Sequence, residues 1–278
     1  MTLEGHAGSV AIDGCNLHYR VRGRGEAVLM IQGVGAHGIA WRPQIDELAQ
    51  DFSCASFDNR GIGASVPAGT AIRVGRMADD ALAVMDALAW REAHVVGHSL
   101  GGLVAQELAL RARSRVRSLA LLCTFARGRS AGTSLRMMLL GLRSRVGTVR
   151  MRRRAFLEMI FAPSALAGVD REALAARLAP LFGHDLAGQP PIAWQQLAAL
   201  RAHDTTPRLR ELAGLPTLVL SARHDPIAPP ALGRALAEGI PGARHVELAD
   251  ASHGAPIQCA GELNALLRAH WMGAGRSG

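Results

Sequence analysis

The chain has 278 residues, of which 49% are hydrophobic and 19% charged, and a formal net charge of +8. That balance excludes a disordered chain and suits one globular domain with a sizeable core, while no apolar run reaches the roughly 18 residues of a membrane span. All 31 basic residues are arginine; a phosphate-binding surface has no reason to exclude lysine, so the charge reads as a coding bias and no nucleic-acid partner is expected.

The first ten residues carry Glu4 and several glycines but no basic stretch followed by an apolar one, so no secretory signal is expected and the protein reads as cytoplasmic. Ser9–Asp13 and Asn16–Gly23 read as strands joined at Asp13-Gly14, a hairpin signal. Ala27–Gln32 reads as a buried strand. Trp41–Gln50 reads as a helix with Pro43 in its first turn. Phe52–Phe57 reads as a strand, Met77–Ala89 as a helix, Ala93–Gly97 as a strand, Leu100–Arg111 as a helix and Val116–Cys123 as a strand.

From about Phe125 to about His203 the pattern is helical throughout, which reads as a lid inserted between two sheet strands. After it come a strand at Pro216–Ser221, a helix at Ala231–Glu238, a strand at Ala243–Leu248 and a closing helix at Pro256–Trp271. This alternation predicts an α/β fold with a mostly parallel central sheet and helices on both faces. The four cysteines, Cys15, Cys54, Cys123 and Cys259, are far apart and read as free thiols, with no metal site and no redox pair.

Gly97-His98-Ser99-Leu100-Gly101 matches G-x-S-x-G. Alone the motif is weak, but it directly follows the strand AHVVG and directly precedes the helix LGGLVAQELAL, the setting a nucleophile elbow requires. On such a turn the serine backbone is strained, and Gly97 and Gly101 remove side chains that would clash. The helix N-terminus beneath supplies free N–H groups to a developing oxyanion. With these residues, and with Phe57-Asp58-Asn59-Arg60-Gly61-Ile62-Gly63, the chain resembles the α/β-hydrolase superfamily over nearly its whole length. The resemblance implies a core of residues 1–124 and 204–278, an all-helical cap of residues 125–203, and no cofactor.

The superfamily order is serine, acid, histidine. On that order and on its place after the last predicted strand, His253 is the expected base. Asp225, following the strand PTLVLS, is the expected acid, with Asp250 the runner-up and a more natural turn cap. Ser221 replaces a glycine usual near this turn. His98 neighbours the nucleophile, but its side chain is expected to point away from the pocket side. By analogy the oxyanion donors are the N–H groups of Val34 and Leu100, with Gly33 permitting close approach and Gln32, in place of a usual histidine, orienting the loop. Asp58 and the glycines of its turn read as structural.

These residues imply a cofactor-free serine hydrolase cleaving a carboxylic ester or lactone through an acyl-enzyme. The alternatives are a C–C bond hydrolase, or a non-hydrolytic cyclase or cofactor-independent oxygenase on the same fold. The lid's first half holds nine arginines from Arg127 to Arg154 and no acid. Either some bind a substrate carboxylate, or they form a solvated face while Met137, Met138, Leu139, Leu140 and Leu142 pack over the pocket. The second reading is preferred, because a buried unpaired arginine is costly, and it predicts a small-molecule substrate that is a largely apolar ester or lactone.

Overall fold

A computed structural model of the protein describes residues 5–274; Met1 to Glu4, part of the segment read for a leader, lie outside the described residues. The chain forms an eight-stranded sheet: β1 (Gly5–Ile12), β2 (Cys15–Arg22), β3 (Glu26–Ile31), β4 (Phe52–Phe57), β5 (Ala93–His98), β6 (Val116–Leu122), β7 (Thr217–Ala222) and β8 (Arg244–Leu248), in the order β1-β2-β4-β3-β5-β6-β7-β8. β1, β2 and β4 pair antiparallel, and every other pair is parallel.

The parallel strands read as unbroken apolar runs because both their faces are buried. Successive side chains point to opposite faces. In β3, Leu29 and Ile31 join the core shared with α2 (Val74–Ala87) and α3 (Leu100–Arg111), where Met77, Val84, Leu103 and Leu108 are buried. Val28 and Met30 face the other way, against Trp41, α1 (Arg42–Leu48) and α10 (Ala260–Ala274), where Leu48, Leu267 and Trp271 are buried. α8 (Pro230–Gly239) covers the first face through Leu236.

Several boundaries differ from the sequence reading: β1 begins four residues before Ser9, and two differences have a clear local cause. α2 begins at Val74, three residues early, because its N-terminus at Arg73 carries no side-chain cap to mark it. The expected closing helix is broken at Cys259 into α9 (Ala255–Gln258) and α10. Gln258 explains the break: its Oε1 accepts from the N–H groups of Ala162 and Ser252, and its Nε2 donates to the Asp250 carbonyl, so tertiary bonds fix this turn separately.

Between β6 and β7 lies the helical insertion, α4 (Leu135–Arg143), α5 (Val149–Ile160), α6 (Arg171–Phe182) and α7 (Ala193–Ala202). It has a core of its own around Leu157, Ile160, Leu174 and Leu178. One expectation holds only in part. Leu140 is buried in the insertion core, and Met137 and Met138 line the cavity below α4. Leu139 and Leu142 do not line it and are more than half exposed, so α4 lays only part of its apolar set over the pocket. No helix among the described residues is long and apolar enough to cross a membrane.

Under the β4 end, Arg60 and Asp80 form a fully buried ion pair. Arg60 Nη1 also donates to the Ala68 carbonyl at 2.9 Å, which helps satisfy the guanidinium. Asp58 accepts from the N–H groups of Gly38 at 2.8 Å and Ala64 at 3.1 Å, the structural role expected for it.

Candidate active site

β5 runs straight into α3 through Ser99, whose φ of 54° and ψ of −118° put a non-glycine residue in a region that costs about 1–3 kcal/mol. The turn is held from several sides. Ser99 N–H donates to the Leu122 carbonyl at 3.0 Å, and the Ser99 carbonyl accepts from Thr124 Oγ1 at 2.7 Å. The two motif glycines are sterically required: a Cβ on Gly97 would collide with the Gly101 carbonyl, and one on Gly101 with the Ile31 carbonyl. Ser99 is 5% exposed and lines a cavity of about 690 Å³ between the sheet and the insertion.

The loop after β8 brings His253 to the same cavity, and the loop after β7 brings Asp225 behind it. His253 Nδ1 lies 2.7 Å from Asp225 Oδ2. The other oxygen, Oδ1, accepts from the N–H groups of Ile227 and Ala228, both at 2.8 Å. Asp225 is thus buried with each oxygen partnered, a fixed orienter for an imidazole. Ser99 Oγ and His253 Nε2 face the same cavity without hydrogen bonding to each other, a separation common before substrate is bound.

Asp250 takes a different role. Its carboxylate accepts from Ser164 Oγ on the insertion, and its carbonyl accepts from Gln258 Nε2 at 2.6 Å. Ser221, where a glycine is usual, turns its hydroxyl away to His245 Nε2 at 3.0 Å.

His98 departs from expectation. It does not point away from the site: Nε2 lies 2.8 Å from the His253 carbonyl oxygen, and the two rings are 4.9 Å apart. β5 alternation sends Val96 and His98 to the face covered by Trp41, where the His253 loop also lands. Enclosure by protein lowers His98 to about 3, with the His253 charge adding to the effect, so the ring is neutral and its Nε2–H donates to the carbonyl.

The loop after β3 completes the cavity floor. Gln32 Oε1 accepts from the Gly33 N–H at 3.2 Å, Asn59 Nδ2 donates to the Gln32 carbonyl at 3.0 Å, and Gln196 Oε1 on α7 accepts from the Gly35 N–H at 2.8 Å. Between these held groups, the N–H groups of Val34 and Leu100 have no partner among the described residues. A Cβ on Gly33 would come within 3.1 Å of Ser99 Cβ, so glycine is what lets the loop reach the serine. Asn59 and Gln196 were not legible in the sequence. Asn59 belongs to a turn read as structural, and Gln196 lies 161 residues from its partner on a helix with no motif.

The chain matches the alpha/beta hydrolase fold family profile over residues 26–258. It is similar to the protein named "Putative carbamate hydrolase RutD" from Azorhizobium caulinodans, 31% identical over 248 residues, covering 86% of this chain and 88% of that protein. Among solved structures it is similar to the enol-lactonase from Burkholderia xenovorans LB400, with TM-score 0.79, 28% identity, and coverage of 95% of this chain and 100% of that one. It is also similar to Est816, described as an N-acyl homoserine lactone degrading enzyme, with TM-score 0.80, 26% identity, and coverage of 94% and 99%. The profile match and the shared architecture agree with the strand order and the elbow: the chain belongs to the α/β hydrolase fold family.

Proposed function

We propose that this protein is a serine hydrolase that cleaves a carboxylic ester or lactone through an acyl-enzyme, with Ser99 as nucleophile, His253 as base and Asp225 as its orienter. The observation that carries the reading is the 2.7 Å contact between His253 Nδ1 and Asp225 Oδ2, behind a serine held on a strained turn in the same cavity. Asp225 holds the proton on Nδ1 and leaves Nε2 free to accept. Ser99 Oγ attacks the carbonyl carbon as its proton passes to His253 Nε2. The negative charge gathers on the former carbonyl oxygen, facing the free N–H groups of Val34 and Leu100. When the tetrahedral species collapses, the C–O bond to the alkoxide breaks and His253 returns the proton to the leaving oxygen. In a lactone that alcohol stays attached to the acyl chain. A water then repeats the sequence on the acyl-enzyme and frees the acid and Ser99. Every step is served by the chain's own side chains, so no cofactor enters it.

Residues 125–203 act in this reading as a cap that walls the cavity and limits water. The cap is anchored to the base loop. The Gly254 N–H donates to the Ile160 carbonyl at 2.7 Å, and the Ala162 N–H donates to Gln258 Oε1 at 3.0 Å. Two of the similar solved proteins are described as acting on lactones, which supports the ester or lactone class over C–C cleavage or non-hydrolytic chemistry. The resemblance to a protein named for carbamate hydrolysis adds a bond that the same attack and collapse would break.

The experiment is labelling with a fluorophosphonate probe followed by peptide mass mapping, with turnover of p-nitrophenyl acetate, a γ-lactone and a carbamate in parallel. Modification at Ser99 with ester or lactone turnover is expected. An unlabelled Ser99, or labelling with none of the three bonds cleaved, would overturn the reading.

A further inference from the structure

The cavity lining is uneven in charge. No aspartate or glutamate lines it, whereas Arg145, Arg152 and Arg201 do. All three come from the insertion: Arg145 from the segment after α4, Arg152 from α5 and Arg201 from α7. Among the other arginines of the insertion, Arg136, Arg154 and Arg177 also lack an ion pair among the described residues, but several are neutralised. Arg143 and Arg171 pair with Glu158, and Arg153 pairs with Glu172 and Asp185. By contrast, none of the three cavity arginines has a carboxylate within ion-pair distance among the described residues.

Arg152 is half-buried, while Arg145 and Arg201 are exposed where they line the cavity, so the three can meet an anion entering from solution. Arg152 Nε is fully buried and has no hydrogen-bond partner, a cost that a protein bears where a ligand supplies the missing acceptor. Asp185 feels the Arg152 charge, but its oxygens are already held by Arg153 Nε at 2.9 Å and Nη2 at 2.5 Å. Arg145 sits over Trp194, its guanidinium carbon 4.3 Å from the ring centroid, a contact that orders the side chain while leaving donors for an anion. Planar guanidinium groups bind carboxylates two bonds at a time, and three with no carboxylate in ion-pair contact favour anions from solution.

We infer that the cap wall of this cavity binds a carboxylate through its arginines and that the substrate is an acidic ester or lactone, an apolar chain carrying an anionic group. The inference rests on the proposed ester or lactone hydrolysis and names its substrate class. It reverses, for Arg145 and Arg152, the expectation of a purely solvated arginine face, and with it the expectation of a largely apolar substrate. The outer arginines keep that solvated role. The same cavity is lined by the apolar Met159, Ile160, Phe182 and Leu197, which suit a short methylene chain between carboxylate and scissile carbonyl.

The test compares mono-p-nitrophenyl glutarate with p-nitrophenyl valerate, which differ in the terminal carboxylate. At low ionic strength the acidic ester is expected to have the higher kcat/KM by about tenfold or more. Arg152→Gln and Arg201→Gln should each reduce that ratio at least about fivefold, Arg152→Lys should restore part of it, and 0.5 M salt should compress it, on the scale that screening over about a Debye length allows. Arg136→Gln, on an exposed residue outside the lining, should leave the ratio unchanged. A ratio at or below one, or a ratio indifferent to both cavity substitutions and to salt, would overturn the inference. Binding provides a readout free of turnover. The Ser99→Ala protein, titrated calorimetrically, should bind monomethyl glutarate more tightly than dimethyl glutarate by a similar factor, and equal binding would overturn the subsite. If neither ester is hydrolysed, the hydrolase reading fails and the binding comparison alone decides the subsite.

Discussion

His98 Nε2 lies 2.8 Å from the carbonyl oxygen of His253, so the residue before the nucleophile holds the main chain of the residue assigned as base. The end of β5 and the loop after β8 are thereby held relative to one another, which a catalytic pair needs to within about 0.5 Å. Because the acceptor is a carbonyl, His98 must carry its proton on Nε2, and enclosure keeps it in that neutral form. His98→Ala is expected to lower kcat by about tenfold to a hundredfold with KM little changed, the pattern of a misplaced catalytic group. His98→Gln, whose amide can donate from a similar place, should recover most of the loss. A fall in KM-based affinity with kcat intact would show that His98 shapes the substrate pocket instead.

The choice of acid is open to a direct comparison. Asp225 bonds His253, whereas Asp250 bonds Ser164 of the insertion. Ser99→Ala and His253→Ala should each lower kcat by about three to six orders of magnitude, since the members act as one unit. Asp225→Asn should cost somewhat less, and Asp250→Asn should stay within about tenfold, the scale of roughly 1.4 kcal/mol. Equal damage from the two asparagine variants, both shown to be folded by circular dichroism, would refute the assignment of Asp225.

Gln32 acts on the loop and not on a proton. Its Oε1 takes up the Gly33 N–H, while the next N–H, that of Val34, has no partner among the described residues. Gln32→His should keep activity within about tenfold, because an imidazole can hold the same loop. A thousandfold loss in a folded protein would reveal a chemical role for the amide.

Acid should destabilise the fold before it touches most carboxylates. Burial lowers His270 to about 4 and His98 to about 3, and it lowers His94 as well. In the unfolded chain a histidine titrates near 6.5. Between those values the unfolded state binds protons that the folded state refuses, so stability falls as pH drops below about 6.5, with a slope approaching about 1.4 kcal/mol per pH unit for each such histidine. Asp185, held down to about 2 first by its bond to Arg153, adds a further loss in the same direction below about pH 4. Urea midpoints measured from pH 8 to pH 4 should be flat above pH 7 and decline below 6.5, and His270→Gln should flatten the decline. A midpoint that rises on acidification would contradict these assignments.

How much of this was legible beforehand follows from where the physical constraint lies. Strand Phe52–Phe57 and helix Leu100–Arg111 were readable residue for residue, since parallel strands buried on both faces make continuous apolar runs and Ser99 marks the helix start. Ser99 itself was readable because a strained turn excludes all but glycine two residues to either side, and that exclusion is written locally. His253 and Asp225 were assigned by chain order, as positions after particular strands. Local sequence determined the strands, the elbow and the helical character of the insertion, because periodicity and turn sterics act over a few residues. Only the tertiary structure decided that His98 turns towards His253, that Gln196 reaches Gly35 from 161 residues away, that Met138 lines the cavity while Leu142 is exposed away from it, and that Arg145 and Arg152 of a long basic run line the cavity together with the distant Arg201. Each of these depends on the direction a side chain takes after distant segments have packed, and no spacing in the chain encodes that direction.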